Sequence, residues 1–352
     1  MKKLLAMLLA ACMLLSVTAV FAETAVDTPL VVATSALSQK FSPFFADTAY
    51  DMEVVDRTQV YMMTTDRVGG IIYKGIEGET VSYNGKDYTY YGPGDLSVNY
   101  DETAAITTYG FKMREDLKFS DGEPATIDDV IFNYYVLLDP AYNGPSTLSS
   151  YDIVGLQAYR NQVPEADVEK VAAIAKAVED AFAQNGAEYK ISDSDVFTQE
   201  MFDAYAAAVT AAWMEDLQGI VDTVYENYGK DYAEQITGKS YEEVGESDSL
   251  KIYLAGNLWG FALDNPDCTM QDLYVSASTK YGGSFEAYLA AGESATGTTA
   301  DAIDADLMAA AKAVAGIDAN ATVPNISGIK KIDNYTVEIQ VKGFSAPAVY
   351  SS

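Results

Sequence analysis

The chain has 352 residues, 49% of them hydrophobic, enough for one large core or two smaller ones. Its formal charge of -30 argues against binding a nucleic-acid backbone or an anionic membrane surface; it reads as a solubility device or as an attraction for cationic ligands. There is no histidine, which excludes histidine general bases, Ser-His-Asp and Cys-His nucleophiles and His-containing zinc sites, and leaves carboxylate, lysine or tyrosine chemistry.

The chain opens like an export signal. Lys2 and Lys3 form a positive start, residues 4–20 are apolar, and Val20-Phe21-Ala22 before Glu23 suits cleavage, so residues 1–22 are expected to be a signal peptide. A competing reading takes Leu9-Ala10-Ala11-Cys12 as a lipobox, with a lipid on Cys12 tethering the protein to the membrane. Both readings place the protein outside the cytoplasm, in a periplasm, at the cell surface or secreted. No other segment is long and apolar enough to span a bilayer. Once the signal is cut, Cys268 is the remaining thiol, no intramolecular disulfide is possible, and without a basic neighbour it reads as a small half-buried hydrophobe.

Residues 30–110 have a β-rich texture. Leu30-Val31-Val32-Ala33 reads as an opening strand and leads into Phe41-Ser42-Pro43-Phe44-Phe45, and a helix is expected over 50–65. Ile71-Ile72-Tyr73 follows Gly69-Gly70, and Tyr83-Asn84-Gly85-Lys86 is a hairpin turn flanked by β-formers. In the run 111–140, Phe111 and Met113, then Leu117 and Phe119, are spaced as a half-buried strand pair. Asp121-Gly122 is turn chemistry, because glycine accepts the positive φ of a tight hairpin. Thr126 and Asp129 form a capping box for a helix whose apolar stripe is Val130, Ile131, Tyr134, Leu137 and Leu138, and Asp139-Pro140 stops it.

From 151 to 325 the texture becomes alanine-rich, acidic and helical, with helices expected over 165–184, 199–228 and 300–315. Val168, Val171, Ala172, Ala175 and Val178 are the expected stripe of the first, and Trp213, with Val209, Leu217 and Ile220 at helical offsets, reads as core. Gly283 and residues 292–299 read as flexible loop. Near the end, Val337, Ile339 and Val341 alternate with Glu338 and Gln340 as in a strand with one buried face. Asp193-Ser194-Asp195 and Asp301, Asp304 and Asp306 invite a calcium reading, but the EF-hand spacing fails at Ala204, and the second group lies at a helix start where acids suit the dipole. The 26 tyrosines could stack on a peptide or sugar, although their helix and strand positions read mainly as packing. No nucleophile elbow, phosphate-cradling loop or dinucleotide fingerprint is present, and no cofactor or metal is implied.

The run containing Phe119-Ser120-Asp121-Gly122, Pro124, Thr126 and Asp129-Val130 closely resembles a signature segment of the bacterial extracellular solute-binding proteins of family 5, the peptide-type receptors of ABC importers. The opening strand with its Phe41-Ser42-Pro43 loop, and the strand near 326–341, are similar to the same family. The resemblance implies an α/β fold, a periplasmic-binding-protein type II-like lobe with a mixed sheet and flanking helices, incomplete and carrying a largely helical insertion. On that reading 23–150 is the N-terminal part of the first lobe, 151–325 an acidic insertion, and 326–352 the lobe's return strand, with the chain stopping before a second lobe. It implies a non-catalytic monomer that binds a small solute or peptide in a closing cleft and delivers it to an ABC permease. Nickel, haem and sugar remain open as ligands. By position alone, Ser35, Ala36, Leu37, Phe41 and Phe44 are the expected ligand-binding residues, because ligands sit beyond the carboxyl ends of strands in open α/β sheets. The Ser120-Asp121-Gly122 turn reads as scaffold. The alternatives are a secreted surface or adhesion module reusing the lobe, and a carboxylate-based hydrolase.

Overall fold

The computed structural model describes residue 31 and residues 33–344. The signal peptide at 1–22, the lipobox at Cys12 and the residues after Phe344 lie outside the described residues, as do Leu30 and Val32 of the expected opening strand. Val31 and Ala33 are in no strand. By internal contacts the chain divides into two compact units, Met1–Val60 and Tyr61–Ser352.

In the first unit, helix α1 (Ala49–Val55) is capped by Thr48, whose hydroxyl accepts from the Asp51 N–H at 3.3 Å. The helix expected over 50–65 therefore ends early. The N–H groups of Arg57 and Thr58 turn back to the carbonyls of Val54 and Val55 at 3.2 and 2.8 Å, and the Thr58 hydroxyl also donates to Val55. That satisfies the last carbonyls of the helix without a glycine or proline to mark the stop.

The second unit begins with two hairpins. Strands β1 (Thr64–Thr65) and β2 (Ile71–Ile72) pair, as do β3 (Glu79–Tyr83) and β4 (Lys86–Tyr90). The turn of the second hairpin is Asn84-Gly85, both at positive φ, as a two-residue turn requires. The main sheet is antiparallel with strand order β5-β6-β8-β7: β5 (Gly94–Asp101), β6 (Ile106–Met113), β7 (Ile329–Lys331) and β8 (Thr336–Lys342). Register pairs Leu96 with Phe111 and Phe111 with Val337. One face alternates inward through Tyr109, Phe111 and Met113 on β6 and Val337, Ile339 and Val341 on β8. Helix α2 (Ile127–Leu138) covers that face with Ile127, Tyr134 and Leu138, while Val130, Ile131 and Leu137 pack partly buried beside them. Its capping box is formed, with Asp129 accepting from the Thr126 N–H at 2.8 Å. The turn before it closes through Gly122 N–H to Phe119 at 2.9 Å, but Leu117 and Phe119 make only a single bridge at Lys118, so the second half of the expected strand pair does not extend.

After α3 (Leu156–Asn161) comes a helical region with its own core: α4 (Val168–Asn185), the 39-residue α5 (Gln199–Thr237), α6 (Tyr241–Gly245), α7 (Asp248–Leu258), α8 (Met270–Lys280), α9 (Phe285–Ala290) and α10 (Asp301–Ala315). The buried stripe of α4 is Val171, Ile174, Ala175, Val178 and Phe182; Ala172, expected inside, faces solvent. Helix α5 runs nine residues past the expected 228 because its first residue unable to continue is Gly238, in the left-handed region at φ 71. Trp213 sits in the middle of α5, fully buried, with the rings of Tyr274, Phe285 and Tyr288 centred 5.2–5.5 Å away. The chain then returns to the sheet, and β8 enters it between β6 and β7.

Candidate functional site

The segment that sequence position singles out lies in the first unit. Ser35, Ala36, Leu37 and Phe41 are exposed and in irregular backbone, and Phe44 is half-buried in a turn. That turn is closed by the Ala46 N–H donating to the Ser42 carbonyl at 2.9 Å. Among the described residues, 33–41 make no backbone–backbone hydrogen bond. Two side-chain ties hold the loop instead. Ser38 donates its hydroxyl to Asp51, which is fully buried at the start of α1, and Lys40 pairs with Asp47 at 2.7 Å. The Ser38 hydrogen bond holds the Asp51 carboxyl below the usual carboxylate range against the opposing effect of burial. Asp51 carries one local signal in the sequence, an acid three residues after a capping threonine; its pairing with Ser38, 13 residues away, carries none. Asp51 also takes backbone hydrogen bonds from Ser38 and Lys40, and the rest of the loop, with exposed Leu37 and Phe41, carries backbone free of other main-chain partners among the described residues, which suits main-chain pairing with an extended ligand.

The second unit shows where other sequence candidates stand. Asp195 accepts from the Ser192 N–H at 2.6 Å and from the Tyr189 hydroxyl at 3.0 Å, so it closes a turn. Among the described residues no group of three or more metal-ligating side chains is placed to hold an ion. Cys268 is buried, its thiol donating weakly to the Ser249 carbonyl at 3.6 Å, and burial pushes its pKa up. The sheet encloses a cavity of only 20 Å³ between Tyr109, Phe111, Tyr134 and Tyr151, room for a water and no ligand. The Ser120-Asp121-Gly122 turn is exposed, with Asp121 accepting from the Glu123 N–H at 3.0 Å. Among the described residues no helix is long and apolar enough to cross a membrane.

Comparison with known proteins gives one positive result. Residues 95–181 match the sequence model of the family described as bacterial extracellular solute-binding proteins, family 5 Middle. No curated protein and no solved structure matches the chain. The match begins in β5, takes in β6, the Asp121-Gly122 turn and α2, and passes residue 150 to end inside α4, so it reaches further into the helical region than the sequence motifs did. Over this segment of mixed sheet and helix the chain is similar to the bacterial extracellular solute-binding proteins of family 5.

Proposed function

We propose that this protein is an extracytoplasmic receptor that binds a small solute of the peptide class and presents it to an ABC permease, without chemistry. The observation that carries the reading is the family match over residues 95–181, whose most specified part is the turn and capped helix at 119–138. The family match favours a solute ligand, a permease partner and an extracytoplasmic setting; the peptide class rests on the loop at 33–41, which makes no backbone–backbone hydrogen bond among the described residues. In this reading 1–22 is a signal peptide, 23–150 and 326–352 build a type II-like lobe, and 151–325 is an acidic insertion carried on it. Ser35, Ala36, Leu37, Phe41 and Phe44 contact the ligand, and cleft closure around it shifts an open–closed equilibrium toward the state the permease reads. The receptor acts as a monomer.

Photo-crosslinking tests this directly. Short peptides carrying a diazirine are incubated with the full chain, and labelled sites are read by mass spectrometry. Saturable labelling within 35–44, competed by unlabelled peptide, is the expected result. Labelling that is spread over the surface, or that competitor leaves unchanged, rejects the peptide reading.

A further inference from the structure

Helices α4, α5, α9 and α10 line a partly open cleft of 420 Å³, within the range of small-molecule pockets, with Glu179 half-buried and Glu286 and Asp304 exposed. Its walls have two characters. Phe182, Phe285 and the ring of Tyr205 form an aromatic side, with Phe182 and Tyr205 edge to face at 5.8 Å. Glu179, Glu286 and Asp304 bring three carboxylates to the same space from three different helices. Among the described residues, none of these carboxylates and not the Tyr205 hydroxyl makes a side-chain hydrogen bond or ion pair. Lys176, on α4 with Glu179, is engaged with Asp180 at 2.9 Å. The cavity is backed by tight packing: Gly283, at φ 77, lets the turn before α9 press on the Ala183 carbonyl where any side chain would collide.

We propose that this cavity binds an organic cation, an ammonium or guanidinium on an apolar stem, with the stem against the aromatic wall and the charge among Glu179, Glu286 and Asp304. Aromatic faces and carboxylates are the two chemistries that recognise such a cation, and here they line one space. Electrostatics agree. Burial, then repulsion from Asp304 and Glu286, raises the Glu179 carboxyl above its usual range; burial, then Asp301 and Glu286, does the same to Asp304. Burial and the same three acids push the Tyr205 hydroxyl up as well. A bound cation relieves all of these at once. The inference is independent of the peptide reading, which places its ligand at residues 35–44.

Calorimetry on the full chain at neutral pH, in about 0.15 M salt to screen the general surface charge, compares phenethylammonium chloride with neutral 2-phenylethanol, which has the same shape. The ammonium is expected to bind at least about tenfold more tightly than the alcohol. Glu179→Gln and Asp304→Asn are each expected to weaken it about fivefold while their melting temperatures stay equal or rise, since each removes a repulsive charge. Asp128→Asn, which breaks an exposed pair with Lys331 on the sheet, is expected to leave binding unchanged. Equal affinity for the two probes, no binding of either, insensitivity to both cavity variants, or an equal loss in Asp128→Asn overturns the proposal.

Discussion

At the scale of single residues, the most demanding group in the molecule is Asp216. It is fully buried in α5 with no cation beside it, and four hydroxyls take the place of water. Tyr288 and Thr296 donate to it in short contacts, Ser294 at 2.8 Å and Thr298 at 3.1 Å. A buried carboxylate survives only with such donors, because the desolvation it suffers is otherwise uncompensated. The same bonds pin residues 294–298, so the stretch that reads as a flexible loop in the sequence is tied to the core through its alternate hydroxyls. Burial first, and then the bond to Asp216, raises the Tyr288 hydroxyl far above its usual range. Asp216→Ala strands the hydroxyls in a polar hole and is expected to cost about 3 kcal/mol in urea unfolding. Asp216→Asn keeps the shape and one acceptor, and is expected to cost about half as much. Equal stability of the alanine variant and the wild type would show that the cluster is decorative. Nothing local announces this cluster: its members lie 72 to 82 residues from Asp216.

At the scale of elements, the helical region leaves and rejoins the sheet at one place. Val154 N–H donates to Gln340, Gly328 N–H to Val154, and Gln340 N–H to Gly328, at 2.9, 2.8 and 2.8 Å. Exit and return are thus bonded side by side on β8. Gly328 is required there, since a Cβ would come within 2.7 Å of the Val154 carbonyl oxygen and 3.0 Å of the Gln340 carbonyl. Gly328→Ala is expected to cost about 2 kcal/mol, measured by denaturant unfolding. Gly186→Ala, where φ is 72 but open space surrounds the residue, should cost only about 1 kcal/mol. A smaller loss at 328 than at 186 would mean that the seam is loose. These elements also show what a sequence reveals. The Asn84-Gly85 turn, the Thr126–Asp129 box and the alternation of Val337, Ile339 and Val341 were readable because each is a local rule satisfied by adjacent residues. The end of α1 was not, because side-chain and backbone turns at Arg57 and Thr58 stop it without a breaker. The strand order was not either, since the bond from Gln340 to Thr108 spans 232 residues. Of the ligand-contact candidates, the sequence supplied positions and no chemistry, and the Ser38–Asp51 tie that holds their loop appears only once the chain is folded.

At the scale of the whole molecule, 52 acids against 22 bases leave repulsion as the dominant long-range term. The ion pairs of the described residues are mostly exposed, such as Lys176–Asp180 and Arg114–Asp116, and such pairs contribute little. Two sets of carboxyls then act on stability in opposite directions as pH changes. Glu179 and Asp304 are raised in the folded protein, so folding takes up protons there, and stability increases as pH falls through their folded values. Asp116, Asp195, Glu243, Asp272 and Asp333 are held low by hydrogen bonds from Arg114, Ser192, Ser240, Thr269 and Tyr335; their contribution is present above the ordinary carboxylate range and is lost as pH falls below it. The general repulsion adds to the first set, since each proton bound lowers the net charge. Stability is therefore expected to rise as pH is lowered from about 8, to peak between about pH 5 and 6, and to fall steeply below about pH 4. Melting temperature followed across that range in low salt checks the sign. Glu179→Gln should flatten the rise toward acid pH, because it removes one of the groups whose raised carboxyl makes folding take up protons. Salt gives the independent arm: raising sodium chloride from about 0.02 to 0.2 M shortens the Debye length roughly threefold and should lift the melting temperature at neutral pH, with less effect at the acid peak, where the charge is smaller. A melting temperature that climbs steadily from pH 5 to pH 8, or that salt lowers at neutrality, would mean that attractive pairs outweigh the acid excess.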